Sequence, residues 1–219
     1  MRAGMNVRCV ILGGGGHARV VIDILRIMKK IIPYAVLDHD RSLWNSDLLG
    51  VPVRGGDELL PDLMKDGITH FIVGLGSVGD HRPRRRLFEL GLKHGLKPLV
   101  ARHPSVVCSS FAQIGPGSVL FPISVVNAGS VIGANVIINT GALVEHDCNI
   151  GDHAHIATGA KLAGSVKIGE GAHIGGGATV LQCICVGREA IVGAGAVVVR
   201  DVPPHAVVAG VPARILKKT

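Results

Sequence analysis

Residues 114–150 read IGPGSVLFPISVVNAGSVIGANVIINTGALVEHDCNI, and the spacing inside this stretch decides the fold. Stepping by six from Ile114 gives Leu120, Val126, Ile132, Ile138, Val144 and Ile150, and the series runs on without a slip to Val198, fifteen aliphatic positions in all. Four residues after each stands a small or apolar residue, among them Ser118, Ala142, Cys148 and Ala160, and none is charged. Gly or Asn directly follows the aliphatic position in nine of the fifteen hexads. These residues enter left-handed backbone angles most readily, so each hexad reads as a short strand followed by a corner. An amphipathic helix repeats every 3.6 residues and a strand every two, so neither puts aliphatics at multiples of six. A stacked parallel β-helix does, because successive coils bury one aliphatic column.

The composition agrees with a repeat. The 219-residue chain holds 31 glycines and only six aromatic residues, so its core is built from Val, Ile, Leu and Ala. Five cysteines with no CxxC pair fit neither a disulfide framework nor a zinc site, and no run of 18 apolar residues occurs. A cytoplasmic protein without a membrane span is expected. The net charge of +7 divides into +6 over residues 1–113, −2 over 114–203 and +3 over 204–219. That spread, with so little aromatic surface for base stacking, argues against nucleic acid as the partner. The densest basic run, His81 to Arg86, suits either phosphates or a solvated helix face.

The first half has a different rhythm. An apolar strand, Val7 to Leu12, runs into Gly13-Gly14-Gly15-Gly16 and then a helical pattern from His17. A second strand from Ile32 to Leu37 ends at Asp38, a third from His70 to Val73 ends at Gly74, and a helix is expected from about Pro83 to His94. This predicts a βαβ domain over 1–103 and a β-helix domain over 104–219. Consecutive glycines let backbone N–H groups reach a ligand, and the helix start offers its positive end to a diphosphate. Gly13, Gly15 and Ala18 also satisfy the dinucleotide fingerprint, with Asp38 placed for ribose hydroxyls, so an NAD-binding oxidoreductase is an alternative.

The hexads resemble those of the hexapeptide-repeat acyltransferases, in which three hexads make one triangular coil. The resemblance implies a small Rossmann-like α/β domain followed by a left-handed parallel β-helix of about five coils. With Gly13 to Ala18 and the run Ile138 to Cys148, the chain is similar to bacterial nucleotide-sugar N-acetyltransferases acting on 4-amino-4,6-dideoxysugars linked to UDP or GDP. Related sialic acid O-acetyltransferases, with a hydroxyl acceptor, are the second alternative.

The resemblance implies that acetyl-CoA is the co-substrate, with no metal, and that His146 is the general base, oriented by Asp147 where some relatives carry Glu. It implies that Gly13, Gly14, Gly15, Gly16, His17, Asp38 and Gly74 hold the nucleotide sugar and that Asn139 contacts the sugar or its amine. His155 is expected at the thioester carbonyl. For the rest of acetyl-CoA, close backbone approach points to Gly164 and to Gly175 to Gly177, Gly176 foremost, and charge to Lys161, Lys167, Arg188, Arg214, Lys217 and Lys218. His155 and His146 differ by nine residues, half a coil, so one reaction can use both only across subunits, as in the family's homotrimers. A role in surface polysaccharide biosynthesis follows from the same likeness.

Overall fold

The computed structural model describes residues 7–218, with the side chains of Lys217 and Lys218 outside the description. Two compact units are present, residues 1–76 with 83–102, and residues 77–82 with 103–219. The residues of the first unit before Val7, Thr219 and the two tail lysine side chains fall outside the described residues.

In the first unit, strands β1 (Val7–Leu12), β2 (Ile31–Leu37), β3 (Asp47–Leu48), β4 (Val51–Gly55), β5 (His70–Val73) and β6 (Lys97–Pro98) form one sheet in the order β3-β4-β2-β1-β5-β6. Helices α1 (Gly16–Ile27), α2 (Leu60–Lys65) and α3 (Arg82–Lys93) connect them. All pairings among the long strands are parallel, and β3 adds to β4 antiparallel. Both faces of a parallel sheet are covered, so β1 is a continuous apolar run, with Cys9 to Leu12 fully buried. Strands β3 and β4 and helix α2 were not foreseen from the sequence. From β1 the chain moves to β2 on one side and later to β5 on the other, which leaves a crevice at the carboxyl ends of β1 and β5.

The second unit is a left-handed triangular prism. Its first face stacks strands at Val119–Leu120, Ile137–Ile138, His155–Ile156, His173–Ile174, Ile191–Val192 and Ala206–Ala209, and the tail strand Arg214–Lys218 pairs antiparallel on the last. The second face stacks six strands, Val107–Cys108, Val125–Val126, Leu143–Val144, Lys161–Leu162, Thr179–Val180 and Val197–Val198. The third stacks Gln113–Ile114, Val131–Ile132, Asn149–Ile150, Lys167–Ile168 and Cys185–Val186. Partners lie one coil apart, as in Leu143 opposite Lys161 and His155 opposite His173. The inward column from Leu120 to Val198 is at most 3% exposed, and it begins one hexad ahead of Ile114, at Cys108.

Glycine has two separate tasks here, and one differs from the sequence expectation. The left-handed residue is the third after the aliphatic, not the first: Gly117, Gly129, Gly141, Asn135, Asp147 and Ser165 all have φ between 52° and 75°. The glycine directly after the aliphatic is needed for a different reason. A Cβ on Gly151 would stand 2.6 Å from the backbone nitrogen of Glu170 in the next coil. The coils are too close at that point for any side chain.

Candidate active site

The glycine loop lies in the β1–β5 crevice. Gly13 has φ +99 and packs against Leu75, so glycine is required there. The Asp38 carboxylate, 8% exposed, accepts the Gly14 N–H at 2.5 Å on one oxygen and the Asp40 N–H at 2.8 Å on the other. Its backbone carbonyl accepts the Trp44 indole N–H at 2.8 Å. Asp38 therefore clamps the loop, with both oxygens already engaged, where the sequence suggested a ribose contact. Gly15 and Gly16 are exposed with open space beside them, and no side chain caps α1. That helix start is the part of the loop able to receive a diphosphate. Gly74 lies beneath: a Cβ would run into the Gly13 carbonyl, Ile11 and Ala18, so its contribution is close packing rather than ligand contact. Burial, with the Arg84 guanidinium nearby, pulls His17 down to about 4, so it acts as a neutral ring and not as a cation. A small crevice of about 70 Å³ follows, lined by Gly13, Asp38, His39, Asp57, Leu75 and Arg86 among others.

The basic run at 81–86 is absorbed into the structure. The Arg82 guanidinium makes two hydrogen bonds to the Asp80 carboxylate and its backbone N–H a third, Arg85 pairs with Glu89 at 2.7 Å and Arg86 with Asp57 at 3.6 Å. Arg84 is only 1% exposed, against the expectation of a solvated face, and burial lowers it to about 9.

On the prism, His146 occupies the corner between the second and third faces. Its Nδ1 lies 2.8 Å from Asp147 Oδ2, and both side chains are more than half exposed. The Asp147 hydrogen bond is the main reason the imidazole is held above the ordinary histidine range, with the charges of Asp147 and Glu145 adding to it. An acceptor carboxylate on Nδ1 leaves Nε2 as the lone-pair nitrogen of the neutral ring, the form a base needs. Cys148, next in the chain, points inward and is 1% exposed, and burial raises its thiol.

Asn139, at the corner between the first and second faces, meets His155 of the adjoining first-face strand. Thr140 N–H donates to Asn139 Oδ1 at 2.8 Å, so the other arm of that amide is its NH2 group, 3.1 Å from His155 Nε2. His155 Nε2 must then accept, and Nδ1 donates to the Ser77 carbonyl at 2.5 Å. Both ring nitrogens are engaged, so the structure makes His155 a link between Ser77 and Asn139 instead of a free donor to a thioester carbonyl. Its ring meets His173 edge-on at 5.0 Å; the pair stacks one coil apart on a strand, not at a corner. Beside them a hollow of about 400 Å³ is lined by Val78, Gly79, Asn139, His155, Gly175, Gly176 and neighbours, mostly apolar. Segment 77–82, which sequence reasoning did not place on the prism, runs along it, with His81 buried near His153.

The residues expected to hold acetyl-CoA do not share one groove on a single chain. Gly176 and His155 border the hollow, exposed Lys161 is on the second face, Gly164 sits beside His146, and exposed Lys167 is on the third face. Arg214 is exposed on the tail strand. Among the described residues, no three His, Cys, Asp or Glu side chains gather as a metal-ion site, and no helix is long and apolar enough to cross a membrane.

Residues 8–90 match the PglD N-terminal domain, and residues 147–182 match the bacterial transferase hexapeptide repeat. PerB from Caulobacter crescentus, solved in complex with CoA and GDP-perosamine, is 42% identical, with 95% of this chain and 97% of that chain covered and a TM-score of 0.88. The chain belongs to the hexapeptide-repeat nucleotide-amino-sugar N-acetyltransferases.

Two further members of this acetyltransferase family are close. The acetyltransferase domain of PglB from Neisseria gonorrhoeae is 38% identical, with 96% and 100% covered and a TM-score of 0.88, and it has been solved with acetyl coenzyme A. GDP-perosamine N-acetyltransferase from Escherichia coli O157:H7 is 33% identical over 148 residues, 65% of this chain and 64% of that protein, slightly under two thirds of its length. The protein is thus an acyltransferase by family, and the solved relatives hold CoA or acetyl coenzyme A. The prism that an NAD-binding oxidoreductase would leave without a task holds the histidine–carboxylate pair of this acetyltransferase.

Proposed function

We propose that the protein moves the acetyl group of acetyl-CoA to the amine of a GDP-linked 4-amino-4,6-dideoxysugar, with His146 as general base. The single observation that carries this is the exposed His146–Asp147 pair, 2.8 Å apart, on the corner of a hexapeptide prism. The sugar nitrogen attacks the thioester carbonyl, His146 Nε2 takes the proton that the nitrogen sheds, and the CoA thiolate leaves and is protonated. Asp147 stabilises the imidazolium while it exists. The glycine loop clamped by Asp38 holds the diphosphate, Asn139 fixed by His155 faces the acceptor, and the hollow at Gly175 and Gly176 takes the pantetheine.

The face chemistry supports assembly into a trimer with sites shared between copies. On the first face the outward residues Val119, Ile137, His155 and His173 are already buried, and on the third face Gln113, Asn149 and Lys167 are exposed and polar. The second face presents the largest set of accessible apolar residues, Val107, Val125, Leu143 and Val197, where the third shows Val131 and the first Ile191. It is bounded by Asn139 at one edge and His146 at the other. A cyclic head-to-tail contact on that face sets the His146 edge of one copy toward the Asn139 edge of the next, so that Lys161 joins the shared cleft. The free cysteines and the co-substrate suit a cytoplasmic enzyme, one that supplies an acetylated sugar nucleotide for surface polysaccharide.

Mass spectrometry after offering GDP- and UDP-linked amino sugars with acetyl-CoA tests the reading. A 42-dalton gain on the GDP-linked amine is expected; no acetylated amine from any of them refutes it.

A further inference from the structure

Gly164 lies one coil on from His146, and its neighbours in the ladder are secure: Ser165 N–H donates to the His146 carbonyl at 2.9 Å and Cys183 N–H donates to the Gly164 carbonyl at 3.0 Å. Unlike the corner glycines, Gly164 does not have a left-handed φ, so its backbone makes no demand for glycine. The demand comes from the imidazole. A Cβ at Gly164 would stand 2.7 Å from both Cε1 and Nε2 of His146 and 3.4 Å from Cδ2, inside contact distance for the first two. The carboxylate partner has a similar seat one coil before it, where a Cβ on Gly129 would fall on Asp147 Oδ1.

We infer that Gly164 is a positioning residue: its missing side chain seats the His146 ring against Asp147 and leaves Nε2 uncovered for the proton of the acceptor. The chain's two cradling glycines bracket the pair from the preceding and the following coil. With His146 well exposed, a methyl group at 164 does not break the core; it turns the ring outward, away from the carboxylate. The inference rests on His146 being the base, and the test separates the two.

The experiment is Gly164→Ala in the full chain, measured by turnover, by NMR titration of the His146 imidazole without substrates, and by melting temperature. The groups that act on this ring are Asp147, Glu145 and the desolvating surroundings of the corner. Turnover is expected to fall about tenfold or more, within the range that proton transfer by a positioned side chain supplies. The imidazole should titrate lower than in the parent, toward the ordinary histidine value, because the Asp147 bond is lost. Any drop in melting temperature should be recovered in Gly164→Ala/His146→Ala, which removes the colliding ring. Unchanged turnover with unchanged titration overturns the inference. Reduced turnover with unchanged titration also overturns it, since the methyl group would then obstruct the co-substrate. Should His146→Ala alone keep full turnover, the base assignment fails, while the titration and the melting rescue still decide whether Gly164 seats the ring.

Discussion

Asp38→Asn is the sharpest perturbation of the nucleotide loop, because it keeps the side chain's shape while removing one acceptor and the charge that faces His39 at 3.3 Å. In the parent, two backbone N–H groups aim at two carboxylate oxygens, Gly14 at 2.5 Å and Asp40 at 2.8 Å, in a residue only 8% exposed. Asparagine offers one oxygen, so one of the two N–H groups must face an NH2 group. Leaving a buried donor unsatisfied costs about 1–3 kcal/mol. If nucleotide binding requires the clamped loop, that cost appears in affinity, and at 1.4 kcal/mol per tenfold it weakens binding by ~5- to ~150-fold. Trp44 is the chain's only tryptophan and its indole N–H sits on the Asp38 carbonyl, so its fluorescence reports this loop directly. Titration with GDP in parent and variant gives the two dissociation constants, and turnover at saturating nucleotide sugar is expected to stay close to the parent value. A dissociation constant within twofold of the parent would refute the argument that the clamp prepares the loop.

His146→Ala should lower kcat about 10²- to 10⁴-fold and leave GDP binding by Trp44 fluorescence unaltered. In the parent, kcat should rise with pH through the His146 titration, since the base acts when neutral; Asp147 raises that titration, so Asp147→Asn should move the acidic limb to lower pH while lowering the plateau. Gly151→Ala should destabilise by about 1–3 kcal/mol in urea unfolding, because its Cβ meets the Glu170 backbone, whereas Gly195→Asn, at φ +67 with open space, should cost at most a few tenths. Leu143→Glu places a charge on the accessible apolar face; light scattering should show a smaller species and turnover should fall with it.

The prism was legible because one aliphatic column every six residues has a single geometric solution. The corner chemistry was less so. Gly133 and Gly151 suggest left-handed turns by composition, yet the left-handed positions are two residues further on, where Asp147, Ser165 and even Ile123 adopt φ of 55–60° because the coil compels it. His146 with Asp147 could be read from local sequence, since adjacent residues at a corner share a surface. His155 could not: the carbonyl that fixes its tautomer is Ser77, 78 residues away, and no local pattern announces it. Strand β4 and helix α2 escaped because five- and six-residue elements give too few periods to register. The acetyl-CoA candidates were chosen as residue types, and a triangular cross-section scatters types that a linear sequence sets side by side.

The eighteen-residue register restricts how this chain can change length. One residue added between His146 and Gly164 would set a different side chain over the imidazole and turn the following column outward. A whole extra coil inserted beyond Val180 would instead lengthen the rod by about 4.8 Å and carry the tail with it, leaving every neighbour of the base in place. Growth and shrinkage in this architecture therefore come in whole triangles, and the histidine's corner can be transplanted between rods of different height.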